Sequence, residues 1–559
     1  MPKARLLASP VTPDGPRPAR GRSPAWLVAV LAGLSALLPA APASAEPMTL
    51  VSRQFELSGR LLASRVVDFD GDGAKDIVAA HLEKDGELNA RGRMRRRLSV
   101  FLQRAGKPAN QRWKTTPDLT IEVDDEAVLF SVADFLPAPG AEIALVRFAG
   151  VTLLSRSGKA LKPDVTTVIK TEKPGFFDFP AEGGLFYWDL CPDLDGDKRC
   201  ELLFPTKSGY LVLGAADAAT ASDETGRPTL SSRGLVTVSS SEKFGPPMET
   251  EFLNRFLTYQ STLRRVVALD MNADGRKDLV VYRSKGLSTF LQGKDGRFRA
   301  KADRNRKLKL VEDAADNKGG EKKDAFARVA LALRDLNGDR RVDLVATQTL
   351  GKIGVFSSLR TRVLIFLGTP KGIDESKPNR IINLEGLTVF PEFTDFNGDK
   401  DVDIVLSSLR VDLLSNVKKA ITKSLSTTYT VYLYRGGPRV YSQDADFERD
   451  VEVDLDSAEN QGKVRLTFFR GDYNGDGLKD MLTVASRSRL KIVPGGIESS
   501  FFSGDSLVLK DDDEAELAVP TSPSLDVLDI DGDGADEILL TYPKPDDPNR
   551  RFLRIIEKS

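Results

Sequence analysis

The sequence predicts an all-β protein, an eight-bladed β-propeller, from three observations. A nine-residue acidic stretch recurs along the chain at spacings of 57 to 77 residues. Copy after copy is followed by an apolar, β-branched run of strand length, such as IVAAHL, LVVY, LVAT, IVLS and EILLTY. The two ends of the chain read as complementary parts of one unit, so the array can close on itself. Units of this size cannot bury both faces of their own sheet, and packing them radially leaves only short sheet edges.

The chain opens on a segment of a different kind. Residues 1–45 hold a basic, proline-rich leader, the apolar run AWLVAVLAGLSALL and then APASA before Glu46. This pattern predicts a signal peptide cleaved after Ala45, because the run is short for a membrane span and Pro39 and Pro42 break it. An uncleaved anchor is the alternative. Residues 46–559 hold no later apolar stretch of spanning length, so they are expected to form a soluble, exported propeller, periplasmic or extracellular. Without the signal, 75 basic residues face 80 acidic ones, a balance that does not point to nucleic acid.

The acidic stretch carries the chemistry. In DFDGDGAKD, Asp68, Asp70, Asp72 and Asp76 stand at positions 1, 3, 5 and 9, with Ala74 at position 7. DLDGDKRCE repeats this with Asp193, Asp195, Asp197, Arg199 and Glu201, and DMNADGRKD with Asp270, Asn272, Asp274, Arg276 and Asp278. DLNGDRRVD supplies Asp335, Asn337, Asp339, Arg341 and Asp343; DFNGDKDVD supplies Asp395, Asn397, Asp399, Asp401 and Asp403. The last two are DYNGDGLKD, with Asp472, Asn474, Asp476, Leu478 and Asp480, and DIDGDGADE, with Asp529, Asp531, Asp533, Ala535 and Glu537.

Carboxylates packed this closely repel one another unless a cation sits among them or the turn is unusually well solvated. Seven copies in register favour the cation. Calcium takes six to eight oxygens, and a short loop offers side chains at positions 1, 3 and 5, a carbonyl at 7 and a bidentate acid at the end. Glycine at position 4, replaced once by Ala273, permits the positive φ of a ring-like turn. An EF-hand would need its glutamate at position 12, where the first and last copies have Ala79 and Leu540. The expectation is therefore about seven structural calcium ions. An eighth copy, DFLPAPGAE, keeps Asp134 and Glu142 but has Leu136 and Ala138 between them, and is expected to stay empty.

The loops and the strands after them resemble the FG-GAP, or VCBS, repeat of integrin α subunits and of many exported bacterial proteins. The resemblance covers roughly residues 48–559 and rests on D-x-[DN]-G-D-G-x-x-D followed by an apolar strand. The Phe-Gly and Gly-Ala-Pro ends that name the repeat are missing, so the VCBS variant is the better comparison. It implies a propeller with calcium-binding loops.

Each unit reads as strand, acidic turn, strand and two further extended pieces, such as RRLSVFLQR and LTIEVDD. The last unit lacks its outer strand, which MTLVSRQFEL at Met48–Leu57 can supply. Absorbing the Asp134 unit as an insertion gives the alternative of seven blades.

Other features weigh less. Cys191 and Cys200 flank one acidic turn, which predicts a disulfide in an oxidising compartment, with two separate buried thiols as the other reading. Leu413, Leu414, Val417, Ile421 and Leu425 fall at helical spacing and predict a rim helix. The aromatic run PGFFDFPAEGGLFYWDLC reads as interblade core or as a sugar-stacking loop tip. The basic runs RGRMRRR and KADRNRKLKL read as solvated loops. His81 is the only histidine and lies in a strand, so general-base schemes built on histidine find no support. These readings favour a non-enzymatic recognition, adhesion or scaffold module for an extracellular or cell-surface protein or polysaccharide. The long insertions after Pro205 and Leu406 are the expected contact segments. The alternative is a calcium-dependent polysaccharide lyase.

Overall fold

The structure, a computed structural model, describes residues 48–558 apart from internal stretches, of which the longest are 84–93, 171–184, 217–228, 239–248, 251–257, 311–324, 410–423 and 455–466. Residues 48–559 form one compact unit. It is an all-β propeller of eight blades. The predicted signal peptide, the helix predicted from Leu413 and most of the two contact insertions lie outside the described residues, and Leu425 belongs to a strand (Ser424–Tyr432).

The first blade shows the plan. Gly59–Val67, Asp76–Glu83, Arg96–Phe101 and Leu119–Val123 pair in chain order, every neighbour antiparallel, and the Asp68 loop is the hairpin between the first two. Residues Asp76–Leu82 are all buried, as an apolar run covered on both faces requires. The third blade shows three strands among the described residues, and the second carries an added strand, Phe186–Tyr187, on the free edge of Ala127–Ala133.

Closure follows the expected route. Leu50–Phe55 pairs antiparallel with Asp547–Lys558, from Leu50 opposite Lys558 to Phe55 opposite Leu553, and completes the eighth blade. Phe55 then buries its ring against Phe101 and Trp113 of the first blade, at centroid distances of 4.6 and 5.7 Å. The core is accordingly a series of apolar layers between successive blades rather than one central mass. Within it, Phe186 and Trp188 are buried, and Tyr187 packs edge-on to Phe130 under the Arg65 guanidinium. This part of the aromatic run is interblade core. Arg96, in a basic run expected to be solvated, is also buried, its guanidinium donating to Ala127 O at 2.6 Å. No helix among the described residues is long and apolar enough to cross a membrane.

Candidate metal centres

Each acidic loop leads into a strand of its blade, and in every blade but the third it joins that strand to a preceding one among the described residues; its backbone is shaped by its own carboxylates. In the first, Gly71 N–H and Gly73 N–H donate to the two oxygens of Asp68 at 2.6 and 3.0 Å, Asp72 N–H to Asp70, and Ala74 N–H to Asp72. The Asp193 loop repeats these bonds through Gly196, Lys198, Asp197 and Arg199. Such a ring needs left-handed backbone at positions 4 and 6. Among the described residues the non-glycines with positive φ are Lys198, Ala273, Arg340 and Lys400, and all four stand at those positions. A left-handed L-residue costs roughly 1–2 kcal/mol, so strain is concentrated in these loops.

Three loops bring acids together. Asp68, Asp70 and Asp76, then Asp193, Asp195 and Asp197, then Asp529, Asp531 and Glu537 each place one oxygen per residue within 4.8 Å of the others. The other four complete loops have asparagine at position 3, and in three of them its amide donates to the carboxylate at position 5: Asn272 to Asp274 at 2.9 Å, Asn397 to Asp399 at 2.9 Å and Asn474 to Asp476 at 3.1 Å. In the Asp335 loop, Asp335 Oδ1 is buried and accepts no hydrogen bond. A buried carboxylate oxygen without a donor is costly, and Asp134 Oδ1 of the degenerate loop shares this state, so it does not by itself mark a metal.

The ninth residue has a part that spacing does not reveal. Asp76 is fully buried; its Oδ2 accepts Phe69 N–H and its Oδ1 accepts Gln103 N–H just beyond the third strand, each at 2.8 Å. Asp278, Asp343, Asp403 and Asp480 make the same double tie, to Met271 and Gln292, Leu336 and Gly368, Phe396 and Tyr434, and Tyr473 and Gly495. The carboxylate predicted as a bidentate ligand thus also clamps the loop to the next hairpin. Burial raises Asp76 to about 7 and Glu537 to about 8, with the backbone donors opposing the shift.

At position 7, Arg199, Arg276 and Arg341 do more than present a carbonyl. Each pairs its guanidinium with the carboxylate at position 5 of its own loop, Asp197, Asp274 or Asp339. Ala74, Leu478 and Ala535 leave that carboxylate without such a partner. Asp531 is held by Arg112 of the first blade, which also pairs with Glu557 at 2.8 Å.

Neighbouring loops are joined around the ring. Ala141 N–H donates to Asp68 O, Cys200 to Asp134 O, Lys277 to Leu194 O, Lys479 to Phe396 O and Asp536 to Asp472 O, at 2.6–3.2 Å. Lys75 Nζ reaches Asp529 O at 3.0 Å and links the first loop to the last.

The predicted Cys191–Cys200 bridge is not formed. Both cysteines are free, and Cys191 Sγ lies 2.9 Å from Ser131 Oγ. Cys200 N–H donates to Asp134 O, and both side chains pack against the apolar layer around the third blade. His81 is buried and bonded to Ser99 Oγ at 2.9 Å; burial, helped by Arg97, lowers it to about 4.

No family model matches the chain, and no curated protein matches it. Among solved structures, a Bacillus licheniformis rhamnogalacturonan lyase is similar over 91% of this chain and 75% of its own, with 14% identity and a TM-score of 0.31. A biofilm matrix protein of V. cholerae is similar over 91% and 90%, with 12% identity and a TM-score of 0.28. An exotype rhamnogalacturonan lyase is similar over 91% and 76%, with 12% identity and a TM-score of 0.23.

Proposed function

We propose that this chain is an exported propeller of the FG-GAP/VCBS type, stabilised by calcium, that acts as a non-enzymatic recognition, adhesion or scaffold module. Its partner would be an extracellular or cell-surface protein or polysaccharide. The observation that carries the reading is the repeated loop, in which carboxylate triads converge within 4.8 Å on strained, self-bonded backbone. Asp68, Asp70, Asp72 and Asp76, with the Ala74 carbonyl, would hold the first ion, and the matching residues of the six other complete loops would hold theirs. An all-oxygen donor set suits calcium better than a softer metal. The ion would neutralise each cluster and hold its hairpin shut. His81 is taken up by packing.

Two measurements test the reading. Metal analysis of the purified protein is expected to find calcium, and a chelator to lower the melting temperature, with calcium restoring it better than magnesium. An unchanged melting curve together with no calcium would overturn the metal half. Acidic and neutral polysaccharides and cell-surface proteins are then screened for binding, with reducing ends and unsaturated uronide product followed in parallel. Saturable binding without product supports the module; calcium-dependent product replaces it with a polysaccharide lyase.

A further inference from the structure

Among the described residues no backbone hydrogen bond joins the Asp335 loop to the Asp270 loop before it or to the Asp395 loop after it. An open cavity of about 380 Å³ lies between the fourth and fifth blades beside the Asp270 and Asp335 loops, within the size range of small-ligand sites. Its apolar lining is Leu287, Val342 and Ile373, each buried in the layer between these blades. Its polar lining includes Asn272, Thr289 and three arginines, Arg304, Arg306 and Arg341.

The arginines converge for a structural reason. Arg304–Lys307 is the edge strand of the fourth blade, and its register sets Arg306 opposite Leu287 and Arg304 opposite Thr289. Side chains of directly opposed residues share a face, so both arginines stand on the blade face that looks toward the fifth blade. Both are exposed. Arg341 reaches the cavity from the neighbouring blade while paired with Asp339 at 2.9 Å. Asp374 lies close enough to Arg306 to feel its charge. No carboxylate among the described residues pairs with Arg304.

We propose that this groove is a binding site for a carboxylate-bearing saccharide, a uronate residue of an acidic glycan. Guanidinium groups match the planar carboxylate and bond it bidentately. The apolar floor suits the C–H face of a sugar ring, and Thr289 offers a hydrogen-bonding partner for its hydroxyls. The basic run here, which the sequence marks only as a solvated loop, becomes a site because strand pairing aims alternate residues into one cleft. The proposal deepens the recognition reading and rests on it.

The test is titration calorimetry of the full chain, in calcium, with a short glucuronate-containing oligosaccharide, its carboxyl-reduced neutral form, and inorganic phosphate. The acidic oligosaccharide is expected to bind, and Arg304→Ala and Arg306→Ala each to weaken it at least tenfold, the scale of a lost hydrogen bond to a charged group. The neutral form should bind at least tenfold more weakly. Both substitutions are at exposed positions, and unchanged melting temperatures verify the fold. Failure of the acidic oligosaccharide to bind overturns the proposal, as does phosphate binding equally well. Binding that survives both substitutions removes the groove and leaves the recognition reading standing. Conversion of the oligosaccharide to unsaturated product removes the non-enzymatic reading, and the groove is then judged by whether the variants lose affinity.

Discussion

The Asp68 and Asp134 loops lie side by side, joined by the Ala141 N–H to Asp68 O bond, and they have lost and kept different things. In the complete loop Asp70 and Asp72 turn their carboxylates to the ring; in its neighbour Leu136 fills position 3 and is buried in the apolar layer. Position 9 keeps an acid in both, and one of its oxygens makes the same bonds. Glu142 Oε2 accepts Phe135 N–H and Leu136 N–H at 2.8 and 3.1 Å, just as Asp76 Oδ2 accepts Phe69 and Asp70. A turn that has lost its inner acids still keeps the acid that satisfies buried backbone donors. The pattern therefore separates a fold requirement at position 9 from the acids at positions 3 and 5, which the fold does not need and the proposed function assigns to the metal.

The strongest way to break this division is to remove the clamp. Asp76→Ala and Glu142→Ala should each destabilise by about 3 kcal/mol, because buried N–H groups lose their acceptor. The loss should persist in chelator for both, and in calcium it should be larger for Asp76→Ala, which would also remove a proposed metal ligand, read from denaturant midpoints. Asp70→Ala should cost stability in calcium only. If Asp76→Ala is silent in chelator, position 9 serves the metal alone.

Calcium removal tests the other half, and its pH dependence sharpens it. A site saturated at a hundredfold excess over its Kd contributes about 2.7 kcal/mol. Burial raises Asp76 from 3.8 to about 7 and Glu142 from 4.5 to about 8, so the folded state holds these protons longer than the unfolded state. Stability of the metal-free protein should be full below the ordinary carboxylate range and fall as pH rises toward 8. Calcium needs the ionised acids, so its increment in melting temperature should be larger at the upper end of this window than at the lower end.

Two smaller effects compare complete loops with one another. Gly73 and Gly477 take the left-handed position 6 freely, where Lys400 is held at φ 72°. Lys400→Gly should raise stability by about 0.5–1 kcal/mol, the relief of strain being partly offset by the added freedom of the unfolded chain. Arg276→Ala frees Asp274 from its guanidinium and should strengthen calcium binding about twofold, the scale of a partly exposed ion pair, as read by calcium titration.

Much of this was legible from residue order. Seven acidic turns and a degenerate eighth, the apolar strands after them and an N-terminal segment able to finish the last blade predicted eight units and their closure, and Leu50–Phe55 pairs where that reading placed it. The second tie of each ninth aspartate was not legible. Its donors are backbone N–H groups of Gln103, Gln292, Gly368, Tyr434 and Gly495, unlike in type and distant along the chain. Nor does closeness in sequence say what a thiol meets: Cys191 Sγ lies beside Ser131 Oγ, and both cysteines are free in the structure.

By itself, then, the sequence determined the local quantities. Carboxylate spacing, glycine at the turns and short apolar, β-branched runs act over a few residues and need no partner from elsewhere in the chain. Tertiary structure alone decided the rest: which carboxylate oxygens meet backbone donors from the next hairpin, which loops touch around the ring, and that Arg304 and Arg306 face a cleft rather than open solvent. These depend on strand register and blade packing, where a one-residue slip turns every side chain to the opposite face.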